Sequence, residues 1–254
     1  MTSRHPSEWL VEAMDRFAQI VGSENVTRKP DLSGTYGDPF SSRPHQGSPV
    51  GGAVRPASVE EVQEIVRAAQ EAGVPLWTVS RGKNLDHGGS APRVPGSVVL
   101  DLHRMRRIIQ VDDELGYAIV EPGVTFFDLY EHIVENDLRL WPSVLALGWG
   151  SVLGNTMDRG WGYTPASDHS NQQCGMEVVL PDGGLLRTGM GAIDSSPTWP
   201  LFRGGYGPAP DGMFMHSGTT ATARYRTSDC VNLPWTSRSA SGTPGSVCME
   251  NRGW

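Results

Sequence analysis

One run of about thirty-five residues limits what this chain can fold into, because it empties a β-α-β unit directly into a glycine-rich loop. Ala53 to Arg55 reads as a short strand closed by Pro56. Ser58 then caps a helix, and Glu61 three residues on completes a capping box. Val59, Val62, Ile65, Val66 and Ala69 fall at 3–4 spacing on one face, and Gly73 supplies the C′ stop. Pro75 to Ser80 (PLWTVS) is the next strand, followed at once by the loop Arg81 to Gly89. Glycine is the compositional outlier, with 31 of 254 residues against an average near 7%. Its concentration in loops after strands is what calls for an explanation.

The remaining elements predict an α+β protein. A helix over Ser7 to Val21 buries Trp9, Leu10, Ala13, Phe17 and Ile20 on one face. Strands are expected at Ser97 to Leu102, Ile108 to Val111 and Tyr117 to Glu121, with Asp112, Asp113 and Glu114 as a solvated hairpin tip. Thr125 and Asp128 start a second helix that stops at Asn136–Asp137. A second glycine-rich turn, Gly148 to Gly154, runs into a short helix, Ser151 to Arg159. A hairpin follows, Gly175 to Leu180 and Leu185 to Thr188, around the turn PDGG. Residues 216–254 hold few large apolar side chains and many Ser, Thr and Gly, a composition expected to be disordered.

Several function classes are disfavoured. A net charge of −7 does not suit a phosphate-backbone partner, so no nucleic acid is expected. No apolar run reaches the roughly 18 residues that span a bilayer, and MTSRHPSEWL lacks the core of a secretory signal. Cys174, Cys230 and Cys248 form no CxxC pair, so a reducing cytoplasm is the expected compartment. The seven histidines include no HExxH or other paired spacing, so no metal site is expected. GxSxG is missing, and Asp168-His169 reads as a capped surface turn.

The two loops carry the chemistry. In Ser80, Arg81, Gly82, Lys83, Asn84, Leu85, Asp86, His87, Gly88 and Gly89, inward-turned backbone N–H groups can cradle phosphate oxygens. Arg81 and Lys83 add positive charge, and Asn84 adds a side-chain donor. A flexible surface loop is the competing reading, and GxxxxGK[ST] is absent. The second loop is GxGxxxG rather than the dinucleotide GxGxxG, which leaves a tight turn against a flat ligand.

Several motifs in order then resemble one family. VRPASVEEVQEIVRAAQEAGVPLWTVSRGKN (Val54 to Asn84), GSVVLDL, VEPGVTFFDL, LGWGSVLGNTMDRGWGYTP and GMEVVLPDGGLLRTGMGA are similar to the FAD-binding domain of the vanillyl-alcohol oxidase and p-cresol methylhydroxylase flavoproteins. The phenol-oxidising branch, which includes eugenol oxidase, is the nearest in pattern. The resemblance implies two α+β subdomains over residues 51–215, with residues 1–50 as a helix and crossing segment, and FAD between the subdomains. The loop from Ser80 to Gly89 would hold the pyrophosphate. Gly150, Ser151, Gly154, Asn155, Arg159, Gly160, Gly162 and Tyr163 would line the cofactor, and Met176 to Val178 would touch it through backbone. It further implies oxidation of a 4-alkylphenol bound as phenolate, with hydride passing from the benzylic carbon to flavin N5. Tyr163 would be the catalytic, phenolate-site residue; the competing reading is an aromatic packed beside glycine.

Three departures qualify that expectation. His87 stands where the family has a phenolate-binding tyrosine, and Ala146 where it has an acid beside the flavin. The resemblance stops near Met215, before the family's substrate cap and its covalent flavin tether, so the expected FAD is non-covalent. The break also suggests an out-of-frame tail. Codons for His216 to Ala221, read from the third base, can spell Gln-Arg-Asn-Tyr-Gly or Gln-Trp-Asn-Tyr-Gly, where the family pattern expects something like Gln-Ser-Asn-Tyr-Gly. The nucleotide sequence checks this hypothesis: an alternate frame with no continuing flavoprotein reading would exclude it. The expected partners are a small phenolic substrate, with homo-oligomerisation left open. Two alternatives stand beside the phenol oxidase: a non-catalytic FAD-binding remnant, and a flavin oxidoreductase of 2-hydroxy acids or sugars.

If the first loop cradles a pyrophosphate, Gly88→Val and Gly89→Val each weaken FAD binding roughly tenfold or more, because a side chain fills ligand space. His87→Tyr leaves binding intact. Titration of FAD by its fluorescence reads both, and unchanged affinity in both glycine variants removes the loop from the site.

Overall fold

A computed structural model describes residues 6–28, 32–37, 50–83, 90–145, 147–165, 167–193, 202–205, 209–214, 221–227 and 230–232. In chain order the elements are α1 (Pro6–Val21), β1 (Val26–Thr27), α2 (Ser33–Tyr36), β2 (Val50–Val54), α3 (Val59–Ala72), β3 (Leu76–Val79) and β4 (Ser97–Asp101). They continue with β5 (Ile108–Asp112), β6 (Tyr117–Val120), α4 (Phe126–Glu135), β7 (Leu140–Pro142), α5 (Val152–Met157) and α6 (His169–Gln172). Last come β8 (Gln173–Val179), β9 (Leu185–Arg187), α7 (Asp211–Phe214), β10 (Ala221–Thr227) and β11 (Cys230–Asn232).

Two sheets organise these elements. The first has the order β1-β2-β4-β3, parallel except for the short β1 at its edge. Every residue of β4 is buried, as a central parallel strand covered on both faces requires. α3 is the crossover from β2 to β3, and its ends follow the sequence signals. The Ser58 side chain accepts from Glu61 N–H, the Ala57 N–H donates to Glu61 Oε2, and Gly73 takes φ +68° to stop the helix. Phe17, Met14 and Ala13 of α1 pack with Val62, Ile65 and Ala69 of α3 over Val54, Val98 and Leu100. On the opposite face Leu32, Tyr36, Val50, Ala53 and Val99 form a smaller cluster.

The second sheet is antiparallel, in the order β5-β6-β10-β8-β9. α4 and α5 cover one face, where Phe126, Leu129, Ile133, Val152, Leu153 and Met157 meet Ala118, Val120, Met176 and Val178. α4 begins with the full reciprocal box, Thr125 capping Asp128 N–H while Asp128 accepts from Thr125 N–H. α3 also reaches the second sheet. Gln63 Nε2 and Arg67 Nη2 both donate to the carbonyl of Gly183, in the β8–β9 turn, at 2.7 and 3.0 Å.

Two differences from the sequence reading have physical causes. β2 starts three residues early because Gly51 and Gly52 belong to the strand. A Cβ at Gly51 would lie 2.6 Å from the Gly96 carbonyl, and one at Gly52 would strike the end of Met14 on α1. Glycine here admits a close neighbour rather than making a turn. Within the N-terminal helix and crossing segment, α1 shares the first core and β1 pairs with β2. The segment 216–254 is not uniformly without structure. Residues 221–227 are the central strand β10, paired antiparallel with β6 on one side and β8 on the other, and 230–232 pair with β7. Pairing along both edges supplies order that the segment's own apolar content did not announce. The rest of 216–254 lies outside the described residues.

Phe17 is fully buried between α1 and α3. Phe17→Ala therefore costs about 3–5 kcal/mol, read as a lowered urea midpoint. A shift under about 0.5 kcal/mol, as at exposed positions, would mean that α1 is not part of the cooperative unit.

Candidate functional site

The carboxyl ends of the parallel strands are where an open α/β layer leaves a crevice for a ligand. Ser80 follows β3 at that end, and the structure sets it against the start of α5. Ser151 Oγ donates to Ser80 Oγ at 2.9 Å across 71 residues of sequence. Ser151 is also the cap of α5, accepting from Gly154 N–H at 2.7 Å. A Cβ on Gly154 would lie 2.6 Å from Ser80 Oγ and 3.0 Å from Ser151 Oγ. The first loop and the second therefore meet through three small residues.

Gly82 sits at φ +63°, with its Cα against the buried Ser90, whose Cβ would lie 3.2 Å from a Cβ placed there. Arg81 is half-buried and Lys83 exposed, and among the described residues neither has a recorded carboxylate partner. Asn84, His87, Gly88 and Gly89 lie outside the described residues, as does Ala146. The second loop is anchored on α4: Phe126 N–H donates to Gly150 O and Phe127 N–H to Gly148 O, while Thr125 bridges Ser151. A Cβ on Gly148 would collide with the Phe127 ring.

The segment after α5 packs its backbone on side chains. Gly160 N–H donates to Asn155 O, and His169 N–H to Gly160 O. The Asn155 amide occupies the place of a Gly160 Cβ, and Ser143 Oγ and His169 Nε2 that of a Gly162 Cβ. Arg159 turns the chain at φ +56° with an exposed side chain. Trp161 and Tyr163 project outward, Tyr163 at 77% exposure. That arrangement makes Tyr163 reachable by a small ligand. Met176 and Val178 are fully buried in the second core. The Met176 N–H donates to Thr188 Oγ1 and its carbonyl accepts from Thr188 N–H, while its side chain shares the second core with Val152, Leu153 and Met157 of α5.

The sequence reading missed the burial of His169 and its link to Ser143 and Asn155. Asp168 does cap the short α6, accepting from Asn171 N–H, but His169 is fully buried, not on a surface turn. The room comes from the two glycines, and the Gly-x-Gly run followed by Asp-His was the available signal. His169 Nδ1 meets Asn155 Oδ1, and its Nε2 lies 3.1 Å from Ser143 Oγ, which also accepts from Thr164 Oγ1 at 2.8 Å. A serine, a histidine and an orienting amide suggest nucleophilic catalysis. Ser143 and His169 are both closed off from solvent, so no substrate carbonyl reaches the hydroxyl and the set is structural. Burial pushes the His169 imidazole below its ordinary range, with the charge of Asp168 and the backbone of Ser143 opposing in part.

A backbone-lined junction with adjacent cations fits a flat, anionic cofactor. Gly154→Ala tests it, because two effects compete. Alanine favours the helix by about 1 kcal/mol, so stability changes little, while the new Cβ separates Ser80 from Ser151 and FAD affinity falls roughly tenfold. Equal affinity in isothermal titration removes the junction from the site. A second test uses pH. The folded chain keeps His169 neutral, whereas the unfolded chain protonates it near 6.5. The unfolded state takes up more protons as pH falls below that value, and stability declines with it. His169→Asn removes this component, so the stability gap between the two proteins narrows on acidification; a gap constant from pH 7.5 to 5 would contradict the assignment.

Residues 50–189 match the model of a FAD binding domain. The chain is 43% identical over 214 residues to the 4-cresol dehydrogenase (hydroxylating) flavoprotein subunit of Pseudomonas putida, covering 81% of this chain and 40% of that protein. The structure is similar to 4-ethylphenol oxidase from Gulosibacter chungangensis in its isoeugenol complex, with a TM-score of 0.84 and 40% identity over 89% of this chain and 43% of that one. Against p-cresol methylhydroxylase with substrate bound the TM-score is 0.81, at 40% identity over 86% of this chain and 43% of that one. The chain thus spans well under half the length of these relatives. Among the described residues no helix is long and apolar enough to cross a membrane. With its match to a FAD binding domain over residues 50–189 and its 40–43% identity to these relatives, the chain belongs to the FAD-binding-domain family of the vanillyl-alcohol oxidase and p-cresol methylhydroxylase type.

Proposed function

We propose that this chain is the FAD-holding part of a flavoprotein oxidoreductase of 4-alkylphenols or related phenolic alcohols, with FAD bound non-covalently. The observation that carries the reading is the junction of Ser80 with Ser151 and Gly154, small residues facing one another at the carboxyl end of a parallel layer. Relatives named for 4-cresol and 4-ethylphenol support the substrate class.

Ser80, Arg81, Gly82 and Lys83 would hold the cofactor's phosphates from one side. Gly150, Ser151, Gly154 and Asn155 would line it from the other. Bound FAD would supply the acceptor for the hydride that leaves the substrate. Tyr163, exposed at the end of the Gly160–Thr164 loop, would donate its phenolic O–H to a substrate phenolate and so fix its orientation. The backbone of that loop, seated on Asn155, Ser143 and His169, sets where the tyrosine stands.

Ala146 supplies no group that can take or give a proton, and His87 replaces a second phenolate ligand. General acid–base groups contribute about 10²–10⁴ each, which favours a FAD carrier of very low turnover over a full oxidase. The purified chain should be yellow with an oxidised-flavin spectrum, and acid precipitation should free the FAD into the supernatant. Flavin retained in the pellet would contradict non-covalent binding. A colourless chain with no affinity for added FAD would refute the functional reading. Vanillyl alcohol, eugenol and 4-cresol should yield no measurable peroxide; peroxide above the buffer blank would make it a working oxidase.

A further inference from the structure

Three segments converge on one buried imidazole. Asn155 comes from α5, Ser143 from the residue after β7, and Thr164 from the loop that carries Tyr163. Ser143 and His169 are closed to solvent, so each polar atom must find its partner inside the protein.

With the Asn155 carbonyl oxygen, an acceptor only, facing Nδ1, the donors and acceptors run in one direction. Thr164 O–H donates to Ser143 Oγ at 2.8 Å. That leaves the Ser143 hydrogen for His169 Nε2 at 3.1 Å, which makes Nε2 an acceptor. Nδ1 must then carry the ring proton, and it faces Asn155 Oδ1, an acceptor. The Asn155 carbonyl is thereby held inward, and its amide nitrogen is left lying over Gly160. The Phe126 ring, with its centroid 5.7 Å from that of His169, packs beside the imidazole.

We propose that His169 is a positioning residue that ties the Tyr163 loop to the cofactor-lining helix α5, through the directed chain Thr164 to Ser143 to His169 to Asn155. Its role toward FAD rests on the functional reading above. The chain itself does not. Glycine is required at 160 and 162 because the three side chains fill the space a Cβ would take. The imidazole thus couples two halves of one site: its Nε2 side holds the substrate-facing loop and its Nδ1 side sets the amide of Asn155.

Two substitutions separate the halves. In His169→Asn the side-chain amide falls near Nδ1 and keeps the donor to Asn155, but loses Ser143. In His169→Gln it reaches the Nε2 position and keeps Ser143, but loses Asn155. One net hydrogen bond corresponds to roughly tenfold in an equilibrium. His169→Asn should therefore speed amide exchange at Gly162 about tenfold while leaving FAD affinity nearly unchanged, and His169→Gln should do the reverse. Two variants that behave alike in both readouts would reduce His169 to a packing residue and overturn the proposal. Nitrogen-15 NMR of the unmodified, cofactor-free full chain adds a measurement that survives misfolding of the variants. His169 should be neutral with the proton on Nδ1, and a proton on Nε2 would refute the chain. If the unmodified chain binds no FAD, the functional reading fails on that result, while the tautomer and the Gly162 exchange still decide for or against the tether.

Discussion

The contact between two serine hydroxyls, Ser80 and Ser151, is the point on which the site depends. Each belongs to a different layer: Ser80 ends a parallel strand of the first sheet, and Ser151 caps the helix lying on the second. A contact of this kind, half-buried and between neutral groups, contributes about 0.5–1.5 kcal/mol. Its importance is geometric. It brings two glycine-containing loops to one crevice, and it requires that Gly154 remain without a side chain.

What surrounds the contact serves to keep it in register. α4 holds the second loop by two backbone bonds at Gly148 and Gly150. Glu121, wholly buried, accepts from the Arg107 backbone N–H and from its guanidinium, fixing the turn that feeds α4. Gly123 continues that turn so tightly that a Cβ would meet three backbone carbonyls at 2.7–2.8 Å. Rigid elements thus present flexible-looking sequence, which is how a loop becomes a binding surface.

The sequence made the helices plain where local chemistry and tertiary packing agree. α3 has its cap at Ser58, its apolar stripe and its stop at Gly73, and all three reappear in the structure. Gly51 and Gly52 misled because their reason for being glycine lies in α1 and Gly96, contacts no local pattern contains. β10 was illegible for a related cause: its order comes from β6 and β8, not from its own residues. The two loops that meet at Ser80 and Ser151 stood out by spacing and resemblance. The buried role of His169 had only the Gly-x-Gly run as its signal, and a histidine after an aspartate looks the same whether those glycines leave a surface or a socket.

The position of β10 also bears on how such a chain is made. In the second sheet the middle place belongs to the strand that leaves the ribosome after the other four. Until then β5–β6 and β8–β9 are separate ribbons, each with an open edge of unpaired amides and carbonyls. Open edges recruit strands from other molecules, and pairings this distant in sequence form slowly. The nascent protein therefore passes through an interval with two sticky edges exposed, so its yield in a cell is governed by how long that gap stays open to neighbouring chains and to chaperones.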